Sequence, residues 1–176
     1  YIQVNAAAGC QGLNYPVPTG WQLVNYITGT GGADGFVNGC NVYNDKQKAM
    51  YFDASALPYT YLTQVYIGFG VAYSSNPNKI VPVRIYDGSA GPGSQPGTLL
   101  ATTNLTMGEI MTDVSGSYYT VADFATPVTL PASKRFFVSI DVSNLSWTSN
   151  PKDSLSIVSN TNGNTNVIAN PVWEQQ

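Results

Sequence analysis

Residues 60–87 constrain the fold more than any other stretch of the chain. They read TYLTQVYIGFGVAY, then SSNPN, then KIVPVRIYD. In an extended chain, Tyr61, Thr63, Val65, Ile67, Phe69 and Val71 share one face. Leu62, Gln64, Tyr66, Gly68 and Gly70 share the other. Period-two alternation of β-branched and aromatic residues is the mark of a strand, because successive side chains leave opposite faces of a sheet. Residues 74–78 carry turn chemistry and a second strand follows at once. The two runs predict the central hairpin of a β-sandwich. Pro82 sits inside the second run; it has no N–H to give a ladder, which predicts an edge strand or a bulge. The outer face of this hairpin, with Tyr66, Arg84 and Tyr86, is a natural place for a partner.

The rest of the chain repeats the theme. Residues 1–4 offer one possible strand, and residues 21–27, 36–43, 98–106, 117–124, 126–130, 134–142, 154–159 and 172–174 read as further strands between turn signals. Residues 46–52 alternate Lys46, Lys48 and Met50 with Gln47, Ala49 and Tyr51, a pattern suited to a sheet edge. Residues 28–35 and 87–97 are Gly-rich loops, and residues 107–111 suggest a short helical turn or a bulge. The expected fold is all-β, an antiparallel β-sandwich or jelly roll of roughly eight to ten short strands. Residues 36–176 form its body, and residues 1–35 a looser segment packed on it. Trp21 and Trp173 lie in alternating segments and read as core.

Composition narrows the class. Charged residues are 10% of the 176, against roughly 25% in an ordinary soluble domain. Hydroxyl and amide side chains take their place. The net charge is −3 and the seven Lys and Arg are scattered, so no basic patch awaits a phosphate backbone and no nucleic-acid partner is expected. No apolar run approaches the roughly 20 residues of a membrane span. No signal peptide is legible, so the reading is of a mature chain or an excised piece. Cys10 and Cys40 lie in Gly/Asn-rich segments, where a buried thiol is not expected. Low charge and abundant Asn, Thr, Ser and Tyr suit an extracellular setting, and there a Cys10–Cys40 disulfide is expected. Its loop of about 30 residues would stabilise the fold by about 3 kcal/mol in the chain-entropy model.

Catalytic chemistry finds few reagents. The chain has no histidine and only two glutamates, Glu109 and Glu174, so Ser-His and Cys-His nucleophile pairs and His-based metal sites are absent. Asp87 and Asp141, both at strand ends, are the nearest approach to a glycosidase carboxylate pair. Asp87-Gly88 reads better as a turn and Asp141 as the start of a loop. Asp34, Asp45, Asp53 and Asp87 offer oxygen ligands to a structural calcium, but none has calcium-loop spacing and each reads as a turn cap. No catalytic residue, no metal site and no cofactor are therefore assigned.

Aromatic residues offer a different chemistry. A Tyr or Trp on a loop or strand end presents a flat face to a sugar ring, while amides bond the hydroxyls. Trp147 in the polar loop NLSWTSNPK is the first candidate. The adjacent pair Tyr118 and Tyr119 follows, with Tyr73 and Tyr86 near the turn and base of the hairpin. For each tyrosine the competing reading is half-buried packing with the hydroxyl in water.

Six stretches, taken in order, resemble a known domain: NVYNDKQKA (41–49), VRIYDG (83–88), GSQPGTLLA (93–101), FFVSID (136–141), SNTNG (159–163) and VWEQ (172–175). The ordered set is similar to a β-sandwich accessory domain of secreted, multidomain Bacteroidota proteins that carry type 9 secretion sorting domains. The likeness runs from about residue 36 to the end and does not extend to Cys10. It implies export to the cell surface or medium and a non-catalytic role. Asp153-Ser154-Leu155 resembles the O-glycosylation tripeptide of these bacteria. The expected function is a secreted binding or adhesion module for carbohydrate or another surface polymer. The alternative is a self-associating subunit or spacer of a surface fibre, whose partner is another copy of the chain.

Overall fold

The computed structural model describes residues 2–5, 12–13, 22–160 and 172–175. Its strands are Ile2–Asn5 (β1), Gly12–Leu13 (β2), Leu23–Val24 (β3), Ile27–Thr28 (β4), Gly35–Phe36 (β5), Gln47–Asp53 (β6), Tyr61–Ile67 (β7), Phe69–Tyr73 (β8), Ile80–Asp87 (β9), Leu99–Thr106 (β10), Thr120–Thr129 (β11), Arg135–Asp141 (β12), Ser154–Ile157 (β13), Ser159–Asn160 (β14) and Val172–Gln175 (β15). Among the described residues one α-helix, Met107–Gly116 (α1), joins β10 to β11, and Thr30–Gly32 form a 3-10 turn. The fold is all-β. Ten strands of four residues or more are described, in line with the turn spacing of the sequence.

Every strand pairing is antiparallel. A five-stranded sheet runs β10-β9-β12-β6-β15 and a four-stranded sheet runs β11-β7-β1-β2. Three two-stranded ribbons, β13-β8, β14-β3 and β4-β5, complete the described sheets. One core cluster draws on both main sheets. It takes Val81, Val83 and Ile85 from β9, Phe136, Val138 and Ile140 from β12, and Val65 and Ile67 from β7. Burying each such side chain contributes roughly 1.5–3 kcal/mol. Helix α1 adds Met107 and Ile110, both fully buried.

The expected central hairpin does not form. The run from Tyr61 breaks at Gly68 into β7 and β8. Strand β7 pairs with β1 and β11, β8 pairs with β13, and β9 lies between β10 and β12 in the other sheet. Residues 74–79 are therefore a crossover, not a hairpin turn. Two bonds anchor them to the end of β10 and start of α1: Met107 N–H donates to the Lys79 carbonyl and Gly108 N–H to that of Pro77. Tyr66 consequently lies in one sheet and Arg84 and Tyr86 in the other. The alternation in β7 also slips. Leu62 is buried beside Val65 and Ile67 while Tyr61 is exposed, and the register with β11 shifts between Asp123 and Val128, across Pro127.

Two edge assignments are likewise corrected. Strand β9 is internal, and Pro82 keeps register opposite Asn104. The ladder to β12 ends one residue earlier, at Val83–Ile140, so Pro82 faces a single neighbour strand. Strand β6 lies between β12 and β15, and its Lys48 is buried against Asp45. Strand β1 falls on the possible strand read at residues 1–4 and is an inner strand of the four-stranded sheet. Cys40 is a buried free thiol, contrary to the expectation from its Gly/Asn-rich surroundings; Cys10, and with it the expected bridge, lies outside the described residues. Trp21 lies outside them too, and of Trp173 the backbone pairing with Ala49 is described.

Candidate functional site

Helix α1 is built by local sequence rules. Thr106 begins it with a capping box: Glu109 N–H donates to Thr106 Oγ1 (3.2 Å), and Thr106 N–H donates to Glu109 Oε2 (2.7 Å). This reciprocal pairing satisfies two backbone or side-chain groups at the helix start and excludes a mere turn. The helix ends in a Schellman motif. Ser117 N–H donates to Val114 O (3.1 Å) and Tyr118 N–H to Asp113 O (2.8 Å), with Ser117 left-handed at φ 59°. The next two residues are Tyr118 and Tyr119.

The motif aims Tyr118 outward. Its backbone is held by the helix end, yet its side chain is 71% exposed. The ring lies back over Gly116; a Cβ built there would meet ring atoms at 2.4 and 2.5 Å. Glycine thus makes the seat for the ring. Tyr119, 48% exposed, precedes the buried Thr120 that opens β11. A flat aromatic face on a fixed backbone can stack on a sugar ring or another flat apolar group at small entropic cost.

The other aromatic candidates sit elsewhere. Tyr73 is exposed at the end of β8, opposite Ser154 of β13. Tyr86 is half-buried on the second face of the five-stranded sheet, against the cluster of Ala49, Tyr51 and Phe137. Its hydroxyl donates to Gln47 Oε1 at 3.2 Å, and Ser139 donates to the same oxygen at 3.0 Å. Trp147 is half-buried. Its indole N–H donates to Ala33 O (2.9 Å), its ring meets Phe36 edge-on at 5.8 Å, and Lys152 Nζ stands 4.6 Å from the ring centre. This residue pins the Gly-rich β4–β5 hairpin to the body. Of the five candidates, Tyr118 and Tyr119 are adjacent; the other three lie on separate elements.

The carboxylates are engaged in the fold. Asp87 stands opposite Phe136 in the β9–β12 ladder and Asp141 is five residues further along β12. That places them about 17 Å apart, well beyond the separation of a glycosidase pair. Asp87 caps Ser89 N–H at 2.7 Å. Burial works to raise the Asp141 carboxyl, but bonds from Ser143 and Arg84 outweigh it and hold the group below its usual range. Asp53 is likewise lowered, with burial opposed by Ser55 and Arg135. Asp153, 1% exposed, accepts from Ser74 Oγ (2.7 Å), Lys79 Nζ (2.5 Å) and Ser146 N–H (2.8 Å), and these bonds overcome its burial to lower it too. The carboxyl of the Asp153-Ser154-Leu155 tripeptide is therefore bound into the fold, while Ser154 is half-buried in β13. Burial, with nearby Asp153, pushes the Cys40 thiol up to about 11. The calcium candidates are dispersed, and among the described residues no three His, Cys, Asp or Glu form a metal-holding group.

Sequence reasoning missed α1 as a full helix, although its T-x-x-E start was a legible capping signal. The buried partners of Asp153 had no local signal, since Ser74 and Lys79 are more than seventy residues away. Comparison with known proteins returned no matching family model, no matching curated protein and no matching solved structure.

Proposed function

We propose that the chain is a secreted, non-catalytic module, built as a β-sandwich, that binds carbohydrate or another surface polymer by aromatic stacking. The observation that carries the reading is Tyr118: a 71% exposed ring on a backbone fixed by a helix C-cap and seated on a glycine. A structural aromatic would be turned inward; this one is held outward. Tyr119 supplies a second ring, and the low charge of the chain leaves recognition to hydroxyls and amides. The resemblance to exported Bacteroidota domains supports a place at the cell surface or in the medium. A glycan array and a polysaccharide pull-down test the reading. Binding that falls about tenfold in Tyr118→Ala is expected from the loss of one aromatic stack. Failure of every glycan and polymer to bind, or binding unaffected in the Tyr118→Ala, Tyr119→Ala double variant, would sink it.

One observation favours the fibre-subunit reading as a second: Ile27 and Val37 are exposed at the β4–β5 hairpin, and Leu23 on the nearby β3, apolar side chains that another copy of the chain would cover. Sedimentation separates the two. A binding module stays monomeric at micromolar concentration, and a fibre subunit does not.

A further inference from the structure

Strand β6 begins beside a buried group with no part in the surface described above. Lys48 is 4% exposed, Asn41 4% and Asp45 7%. Asp45 Oδ2 accepts from Lys48 Nζ at 2.5 Å and from Asn41 Nδ2 at 2.6 Å. The two nitrogens share one acceptor and so lie no more than about 5 Å apart. The Asn41 amide is held at both ends. Its Nδ2 also donates to Phe36 O (3.1 Å), and its Oδ1 accepts from Tyr43 N–H (3.0 Å).

A buried ammonium–carboxylate pair is costly unless the oxygens of the acid are fully bonded. Here they are not: Asp45 Oδ1 is buried without a partner among the described residues. Asp45 is in hydrogen-bond reach of Lys48 Nζ and can take a proton from it as a general base, which makes an amine nucleophile beside a primary amide. The carbonyl oxygen of that amide already receives a backbone N–H, the donor an acyl transfer needs for its developing oxyanion. Nucleophile, acyl group, oxyanion donor and proton carrier are thus gathered in one site.

The geometry points to a self-catalysed isopeptide bond between Lys48 and Asn41. The Lys48 Nζ lone pair attacks Asn41 Cγ, and an Nζ–Cγ bond forms. Tyr43 N–H stabilises the oxygen of the tetrahedral intermediate. Asp45 delivers the proton it took from Lys48 to Asn41 Nδ2, and removes a second from Nζ. The Cγ–Nδ2 bond breaks and the nitrogen leaves as ammonia, which takes from Asp45 the proton drawn from Nζ and departs as ammonium, so that Asp45 ends as a carboxylate. An amine and a primary amide become a secondary amide; nothing is oxidised or reduced. The chain loses one positive charge and the start of β6 is tied to the loop before it.

The denatured mass of the purified chain tests this directly. The expected mass is lower than the sequence mass by one ammonia. Trypsin should release the peptide ending at Lys46 joined to one that begins at Gln47, with no cleavage after Lys48. Asp45→Asn keeps the side-chain size but cannot carry the proton, and it should restore the full mass, as should Lys48→Met. The reading is overturned by a wild-type chain at full mass, by loss of water instead of ammonia, or by an ammonia loss that maps elsewhere. Because the wild-type mass is decisive alone, a variant that fails to fold does not shelter the proposal.

Discussion

Ser117 shows how a single residue sets the candidate surface. It occupies the left-handed position that ends α1, with φ 59°, where a side chain crowds its own backbone and glycine does not. Ser117→Gly is therefore expected to stabilise the fold by about 0.5–1 kcal/mol, read as a shift in the urea midpoint at constant slope. A loss of stability would mean that the serine side chain itself contributes at the cap. Gly116 works in the opposite sense. Any Cβ there must displace the Tyr118 ring, so this glycine belongs to the surface and not only to the helix. From the sequence Tyr118 and Tyr119 are an adjacent pair inside a strand at 117–124, one of which would face out; in the structure β11 opens only at Thr120, and both rings precede it and are exposed. Trp147 was not legible: its polar neighbours suggest exposure, but its partners Ala33 and Phe36 lie more than a hundred residues earlier.

Helix α1 is the element that carries the site. It is a short helix, and isolated helices of its length are marginal in water. Its ends and its buried Met107 and Ile110 must supply what intrinsic propensity does not. Thr106→Ala removes the acceptor for Glu109 N–H and is expected to cost about 1 kcal/mol by chemical denaturation. Since the site sits at the far end, ligand binding by the folded variant should change little. A variant as stable as the parent would show that tertiary packing alone holds the helix start. Strand β9 teaches a related point about elements. Proline reads from sequence as an edge signal because it lacks a donor. An internal strand accepts it where one flanking ladder has already ended, and ladder ends depend on the neighbours.

At the scale of the whole molecule, three lowered carboxylates join segments distant in sequence: Asp53 with Arg135, Asp141 with Arg84, and Asp153 with Ser74 and Lys79. A carboxyl lowered by folding contributes stability that is present above its unfolded value, near 4. That stability is lost as pH falls through the lower folded value. Melting temperature should hold steady from neutral pH down to about pH 4 and fall below it. In the Asp153→Asn variant the acid-induced fall should be shallower, from a lower plateau. An identical acid profile in parent and variant would remove Asp153 from this account.

The sequence by itself determined the all-β class and the positions of most long strands. These follow from local quantities: side-chain period, turn residues and composition. Tertiary structure alone decided which strands pair. The run at residues 60–87 is three strands of three sheets: the chain leaves β7 at Gly68 for β8, residues 74–79 cross to β9, and nothing in a period of two specifies a partner. It also decided that Lys48, on a strand expected at an edge, lies buried with Asp45 and Asn41. Alternation tells which residues share a face; only the packed neighbours decide whether that face meets water.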